Sequence, residues 1–330
     1  MTKGLTLTSY VLAALAIPVV LCFHLLPTLF SGLAVYVLTI KLAGRLPVQW
    51  GSLAHKLALT ALVGCVILAL FGAIFSLWSF LDGSGGMAAL LSAAADTLES
   101  LRHTLAPDMA AAIPHTMEDL RQEVNVMLRE NAHRISAAGI AGVRIFAHVL
   151  LGMVVGGITA IYHFDTSDQL PPLVAVLRER IRMLVDAFDK VVFAQVKISA
   201  LNTILTAFYL LVVLPSFNIH LPMLTVLLTF TFVVGLLPII GNLVSNTVIV
   251  LISLGVSPGV AIASLVFLVA IHKLEYFTNA YIVGGEVQAR AWELLCAMVV
   301  MEAVFGIAGL IAAPVAYAWL KAELRAQNLI

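Results

Sequence analysis

The chain has 330 residues, of which 62% are hydrophobic and only 11% are charged, and its formal net charge is zero. A soluble domain carries about 25% charged residues, so this composition excludes a water-soluble globular protein, and the balanced charge gives no electrostatic basis for nucleic-acid binding. A mean hydropathy of +1.06 and several long apolar runs predict an all-α, polytopic helical membrane protein with about eight transmembrane helices.

Residues 1–81 are predicted to hold the first three transmembrane helices. The apolar stretch 9–40 is interrupted by Pro18 and by the segment 24–27, which contains a histidine and a second proline. Because proline removes a backbone donor, two short helices that fold back at 24–27 are favoured over one very long helix. A cleaved signal peptide is the alternative interpretation of the first run. Residues 57–81 form the next span.

Residues 82–139 are predicted to form an extracytoplasmic helical insert. The segment is rich in alanine, contains Pro107 and Pro114, and its leucines recur at helical spacing. Residues 140–163 are apolar again and are predicted to be the fourth transmembrane helix. Within it, Gly152 and Gly156 have the small-xxx-small spacing that allows two helices to pack closely.

Residues 164–198 are predicted to be an amphipathic region on the cytoplasmic side. Arg178, Arg180 and Arg182 alternate there with apolar residues, a pattern typical of a helix in the headgroup plane or under a helical bundle. Residues 199–330 then form the predicted transport core. Its segments 243–254 and 260–271 are too short to cross a bilayer comfortably, which predicts broken or re-entrant helices.

Lysine and arginine residues predict the orientation of the chain. The segments 41–56 and 164–197 are rich in basic residues, whereas 87–138 carries more acidic than basic residues. By the positive-inside rule, the first two segments and the N-terminus lie in the cytoplasm and the third lies outside.

Motifs of soluble enzymes are missing from the sequence. It contains no H-E-x-x-H, G-x-S-x-G or P-loop pattern, so no catalytic residue and no cofactor is predicted. The histidines between residues 82 and 139 are too widely spaced for a local metal site. Cys22, Cys65 and Cys296 lie in apolar runs and are expected to be buried small hydrophobic residues.

The segment 235–247 contains the most informative polar interruption. Pro238 and Gly241 should unwind a helix at membrane depth, and the freed backbone groups then need polar partners. Asn242, Ser245 and Asn246 share one face of the helix that follows. Such broken helices form the binding sites or gates of many transporters. The alternative is a plain kink whose polar side chains join neighbouring helices.

A second group of polar residues follows near the end of the chain. Glu275 and Asn279 share a helix face between two apolar runs, and Glu302 lies inside the last run. Charged groups in such places are functional candidates, because they are costly unless they are paired or face water. A hydrated interfacial loop is the alternative for Glu275. Hinges or packing points in the last run are predicted at Gly306, Gly309 and Pro314.

Three blocks in this order resemble the autoinducer-2 exporter family of bacterial permeases. They are Leu-Pro-Ile-Ile-Gly at 237–241, Glu-x-x-x-Asn at 275–279, and Phe-Gly-Ile-Ala-Gly-Leu-Ile-Ala-Ala-Pro at 305–314. The resemblance covers most of the chain. It implies a multi-pass transporter of the bacterial inner membrane, a homo-oligomer, and export of autoinducer-2 or, as for other members, Na⁺/H⁺ antiport.

The leading functional hypothesis is a secondary exporter of a small polar or amphipathic metabolite. Asn242 and Asn246 would bind hydroxyl groups of the substrate, and Glu275 or Glu302 would carry a coupling proton. The runner-up is an antiporter of a monovalent cation and protons. A third hypothesis is a membrane scaffold that does not transport and uses 87–138 for docking. The expected partners are a small molecule or ion and the lipid bilayer.

Overall fold

The computed structural model describes residues 3–82, 122, 126, 129–162, 171–221, 223–236, 240–287 and 289–329. Within these ranges the chain is helical, with short connecting turns and no strand, which confirms the predicted all-α class. Most of the insert predicted at 82–139 lies outside the described residues.

Nine helices of more than ten residues occur in the described ranges. In chain order they are α1 (Lys3–Cys22), α2 (Leu26–Ala43), α3 (Gly51–Asp82), α4 (Ala132–Tyr162), α5 (Pro172–Phe208), α6 (Leu224–Gly235), α7 (Ile240–Leu254), α8 (Pro258–Val287) and α9 (Ala291–Ala326). A π-helical turn, Tyr209–Val213, and a short helical turn, Leu214–Ser216, continue α5.

The first apolar run forms two helices, as its prolines predict. The chain turns between α1 and α2 at His24, whose φ is 55°, and the two helices contact each other. Pro27 lies in the first turn of α2, where its missing N–H has no intrahelical partner to lose.

Five helical segments are long and apolar enough to cross a membrane. They are Leu26–Ala43, Gly51–Leu68, Ala132–Tyr162, Pro172–Ser216 and Trp292–Ala326, and shorter apolar helices cover Leu7–Cys22, Leu224–Gly235, Gly241–Leu254 and Pro258–Ile271. Many large apolar side chains on these helices are exposed, which suits contact with lipid. Cys22, Cys65 and Cys296 are exposed as well, so the expectation that they are buried is wrong.

The described chain divides into two compact units. The first contains Met1–Leu70, Ile140–Phe193 and Val283–Ile330, and the second contains Phe71–Gly139 and Ala194–Ile282. Helix α5 belongs to both, because the division between Phe193 and Ala194 lies inside it. The helix also runs without interruption through the boundary predicted at 198.

In the first unit, the first half of α5 packs into a helical core. Phe188 clusters with Val37 of α2 and Val315 of α9, and Ala187 clusters with Trp319. One face of the region predicted to be amphipathic therefore packs against α2 and α9.

Close helix packing in the first unit joins α2 and α4. A Cβ atom at Gly152 would overlap the Thr28 carbonyl and the Ser31 hydroxyl, and a Cβ atom at Gly156 would overlap the Gly32 carbonyl. The Ser31 hydroxyl donates a hydrogen bond of 3.0 Å to the Val149 carbonyl across this contact. Only residues without side chains allow the two backbones to approach this closely.

Helix α9, counted above as one apolar segment by length and composition, is bent into a hairpin of two helical arms. Gly306 has φ 63° and ψ −149° inside it, and a Cβ atom at Gly309 would overlap the Met301 carbonyl. At the open end, Glu293 of the first arm accepts hydrogen bonds from Tyr317 (2.8 Å) and Lys321 (2.5 Å) of the second. The single apolar run 291–320 therefore folds back on itself.

Gly306→Ala is expected to destabilise the protein by about 1–3 kcal/mol, because this backbone conformation is essentially restricted to glycine. An added Cβ atom would meet no other atom within 4 Å at this site, so the cost is conformational and not steric. Equilibrium unfolding in mixed micelles measures it. Gly259→Ala at the start of α8 is the control, since its Cβ atom would make only an ordinary contact with Ser257. Equal stabilities of the two variants would contradict the assignment of strain to Gly306.

In the second unit, α6 and α7 form another pair of short arms that pack against each other. A Cβ atom at Gly241 would overlap the Val234 carbonyl, so glycine is required where α7 begins. The helices have 12 and 15 residues. They span about 18 and 22 Å, which is less than the hydrocarbon thickness of about 30 Å.

Candidate functional site

A line of polar side chains runs along one face of the second half of α5. We call it the polar stripe, and it consists of Gln195, Ser199, Asn202, Thr206 and Tyr209. Alternating spacings of four and three residues place all of them on the same side of the helix. Gln195 is half-buried, and the other four are buried.

The first part of the stripe binds the end of α6. Gln195 Nε2 donates to the Gly235 carbonyl at 2.8 Å, and the Ser199 hydroxyl donates to the Phe232 carbonyl at 2.6 Å. The last four carbonyls of a helix have no partner within it. The stripe therefore satisfies backbone groups that the interruption between α6 and α7 sets free.

The middle of the stripe meets the start of α7. Asn202 Nδ2 donates to Asn242 Oδ1 at 2.8 Å, and the Ser245 hydroxyl donates to the Asn242 carbonyl at 3.3 Å. Ser245 is fully buried, and Asn242 and Asn246 are half-buried. The polar face predicted for 242–246 thus meets α5 through Asn242.

The stripe ends at a hydroxyl network that includes α8. The Tyr209 and Ser264 hydroxyls lie 2.9 Å apart, and Ser264 lies 2.8 Å from the Ser253 hydroxyl of α7. The Tyr209 ring stacks on Phe267, with 4.1 Å between ring centroids. Tyr209 also begins the π-helical turn, a feature frequent at functional sites.

Two hydroxyl groups of the second unit are buried without a hydrogen-bond partner among the described residues. They belong to Thr206, in the stripe, and Thr231, one turn before the end of α6. Leaving a buried hydroxyl unpaired costs about 1–3 kcal/mol. Both hydroxyls therefore have free capacity for water or a polar solute.

The remaining residues of the predicted site are placed as follows. Pro238 lies outside the described residues. Glu275 and Asn279 lie on α8, with side chains outside the described part. Glu302 belongs to the first unit, in the first arm of α9, and is exposed. Of the predicted set, the structure bonds Asn242 to the stripe, packs Gly241 against the end of α6, and places Ser245 and Asn246 on the same helix as Asn242.

A buried ion pair in the first unit was missed by the sequence analysis. Arg180 of α5 binds the Glu323 carboxylate of α9, and only 7% and 10% of these side chains are exposed. Arg180 Nε also donates to the Ser9 hydroxyl at 2.9 Å. Its guanidinium carbon lies 3.7 Å from the centre of the Tyr10 ring. This is an arrangement of cation and aromatic face typical of arginine.

The arms of α9 enclose a groove of about 480 Å³, lined mainly by apolar side chains such as Val300, Met301 and Leu320. Its polar end is the contact of Glu293 with Tyr317 and Lys321. Across the described residues, no group of three or more His, Cys, Asp or Glu side chains could hold a metal ion.

No family model matches the chain, and neither a curated protein nor a solved structure matches it. The resemblance to the autoinducer-2 exporters stays a hypothesis drawn from the three sequence blocks.

Proposed function

We propose that the protein is a secondary transporter of a small polar or amphipathic metabolite, whose pathway follows the polar stripe of α5. The polar stripe itself carries this proposal. It places five polar side chains in register inside a helix apolar enough to span a membrane, opposite two helices too short to span one.

Energetics support a pathway in preference to a packing seam. Polar side chains in hydrocarbon are costly, and the hydrogen bonds between membrane helices return only about 0.6 kcal/mol each on average. Apolar residues would pack α5 at lower cost. Unpartnered hydroxyls at Thr206 and Thr231 add to that cost unless water or a solute binds them.

The proposal includes a topology and a location. The arms α6 and α7 together enter the membrane and return, as do the two arms of α9, while the longer apolar helices cross it. Basic residues in 41–56 support a cytoplasmic N-terminus, and the proposed location is the bacterial inner membrane, as the resemblance of the three blocks implies. The resemblance of the three blocks makes autoinducer-2 the first solute to test and a homo-oligomer the first assembly to look for.

Asn242→Ala and Asn202→Ala are each expected to lower solute flux about tenfold. Each substitution removes a hydrogen-bonding side chain from the pathway, and one hydrogen bond contributes about 1–1.5 kcal/mol of free energy. The measurement is uptake into proteoliposomes that contain the purified protein, with autoinducer-2 first and other small polar metabolites next.

Thr247→Ala is the matched control for these variants. Thr247 lies on α7 as well, but it is exposed and its hydroxyl bonds the Leu243 carbonyl of its own helix, so flux should stay at the wild-type rate. Wild-type flux in both asparagine variants would remove the stripe from the mechanism. Sodium-dependent proton movement in everted vesicles, without solute flux, would support a cation/proton antiporter in place of the proposed function.

A further inference from the structure

The ion pair of Arg180 and Glu323 holds three helices of the first unit together. Arg180 lies on α5, Glu323 on the second arm of α9, and the Ser9 hydroxyl that Arg180 binds lies on α1. The Trp319 indole, one turn before Glu323, donates to the Arg180 carbonyl at 3.1 Å. The charge state of one carboxylate therefore affects contacts among three helices.

The Glu323 carboxylate is only half satisfied. Its Oε2 atom accepts from Arg180, whereas its buried Oε1 atom has no hydrogen-bond partner in the described structure. A buried ion pair favours folding only when the remaining lone pairs are also bonded. Oε1 is thus an oxygen with free capacity to take up a proton. The buried Tyr10 hydroxyl beside the pair also lacks a partner among the described residues.

Glu323 is close to the end of its helix. Ala326, the last residue of α9, lies three positions after it, so Glu323 is about 5 Å along the axis from the helix end. Arg325 and Ala326 are exposed. A proton that reaches Glu323 from this end therefore has only about 5 Å of helix to pass.

Among the residues that the structure describes, few charged or titratable groups face the pair. Arg180 contributes from α5 and Tyr10 from α1, while the neighbouring Arg178, Glu179, Arg182 and Arg325 are exposed. On α9 itself, Lys321 is bound to Glu293. The proton on Glu323 therefore competes chiefly with Arg180.

We propose that Glu323 carries the coupling proton of the transport cycle and that Arg180 competes with this proton for the carboxylate. The inference rests on the proposed transport function. The proton passes from the aqueous phase to a carboxylate oxygen of Glu323, and the acid returns it on the other half of the cycle, so no other reactant is needed.

Protonation of Glu323 has a structural consequence, because arginine keeps its charge in proteins. Neutral Glu323 leaves a buried guanidinium whose remaining contacts are the Ser9 hydroxyl and the Tyr10 ring. An uncompensated buried charge is strongly unfavourable. The protonated state therefore favours movement of Arg180 out of the core, which alters the packing of α5 against α1 and α9.

Infrared difference spectroscopy of the full chain in lipid nanodiscs tests the proton site without a solute. Between acidic and neutral buffer, wild type should gain the carbonyl band of a protonated carboxylic acid, and E323Q should lose that band. E293Q is the matched control, because Glu293 is the other basic-paired carboxylate of α9, and its spectrum should keep the Glu323 band. Identical carboxyl bands in wild type and E323Q would overturn the proposal.

Flux in proteoliposomes tests the coupling, with autoinducer-2 as the first solute. E323Q should lose about tenfold or more of the flux driven by a pH gradient and keep exchange of solute without a gradient. Gradient-driven flux at the wild-type rate in E323Q would overturn the proposal. Absence of flux for every solute, with the infrared band still assigned to Glu323, would refute the transport function and leave the proton site standing.

A double variant that lacks both charges is the control for possible misfolding of E323Q. R180Q/E323Q has no buried unpaired charge, so it should fold and lack the infrared band as well as the gradient-driven flux. Retention of either property in this folded variant would contradict the assignment of the proton to Glu323.

Discussion

Replacing Glu323 by alanine is expected to lower the free energy of unfolding by about 3–5 kcal/mol, the largest effect of any single substitution considered for this protein. The variant leaves Arg180 buried, with 7% of its side chain exposed, and a guanidinium cannot shed its proton to become neutral. The Ser9 hydroxyl and the Tyr10 ring compensate only part of that charge. Equilibrium unfolding in mixed detergent micelles measures the loss.

Removing the other partner provides the comparison. Arg180→Met should cost less, because the Glu323 carboxyl that remains can take up a proton and become neutral. Arg180→Met with Glu323→Leu should restore stability to about the wild-type value, since apolar residues of similar volume often replace a buried pair without loss. Equal losses in the two single variants, or a double variant as unstable as Glu323→Ala, would show that packing and not charge sets the stability here.

Gly156→Val is expected to destabilise the first unit by about 3 kcal/mol, at the upper end of the cost of overpacking. The added Cβ atom would overlap the carbonyl and the Cα atom of Gly32. Backbone atoms cannot move aside as a flexible side chain can, so α2 and α4 must separate and lose the Ser31 bond to the Val149 carbonyl. Unfolding in the same micelles gives the change in free energy.

Gly142 supplies the control on the same helix. A Cβ atom there would meet nothing within 4 Å, so Gly142→Ala should be neutral or stabilise α4 by up to about 1 kcal/mol through helix propensity. A Gly156 variant as stable as the Gly142 variant would mean that α2 and α4 do not depend on their close approach.

Hydropathy and backbone chemistry were enough to predict the helical class and several turns. Pro27 and the polar break near it predicted the turn at His24. Proline lacks the backbone N–H that a continuing helix needs, and this effect acts on the residues next to it. The interruption before Asn242 was predicted on the same grounds, and the structure begins α7 at Ile240. Both predictions succeeded because the residues that end each helix lie within a few positions of the turn.

The polar stripe was readable in the sequence but divided by a predicted boundary. Gln195 falls in the predicted amphipathic region 164–198, and the other four residues of the stripe fall in the predicted core 199–330. The spacing of the five residues is nevertheless continuous across 198. A search for polar residues at spacings of four and three along an apolar helix would have found it.

Arg180 could not be distinguished from its neighbours by pattern alone. Arg178 and Arg182 are exposed, whereas Arg180 is buried on the face that also carries Ala187 and Phe188. Its partner is 143 positions away in the sequence. Pairing between distant segments depends on tertiary packing, which no local periodicity encodes.

The turn at Gly306 decides, in the proposed topology, on which side of the membrane the chain continues after α9. In the topology that we propose, the antiparallel arms of α9 place Arg290 and Arg325 on the same face of the bilayer. Counting the apolar run Trp292–Ala326 as one crossing would send the C-terminus to the opposite compartment. A fluorescent or phosphatase reporter fused after the last residue therefore reports whether this glycine turns the chain back.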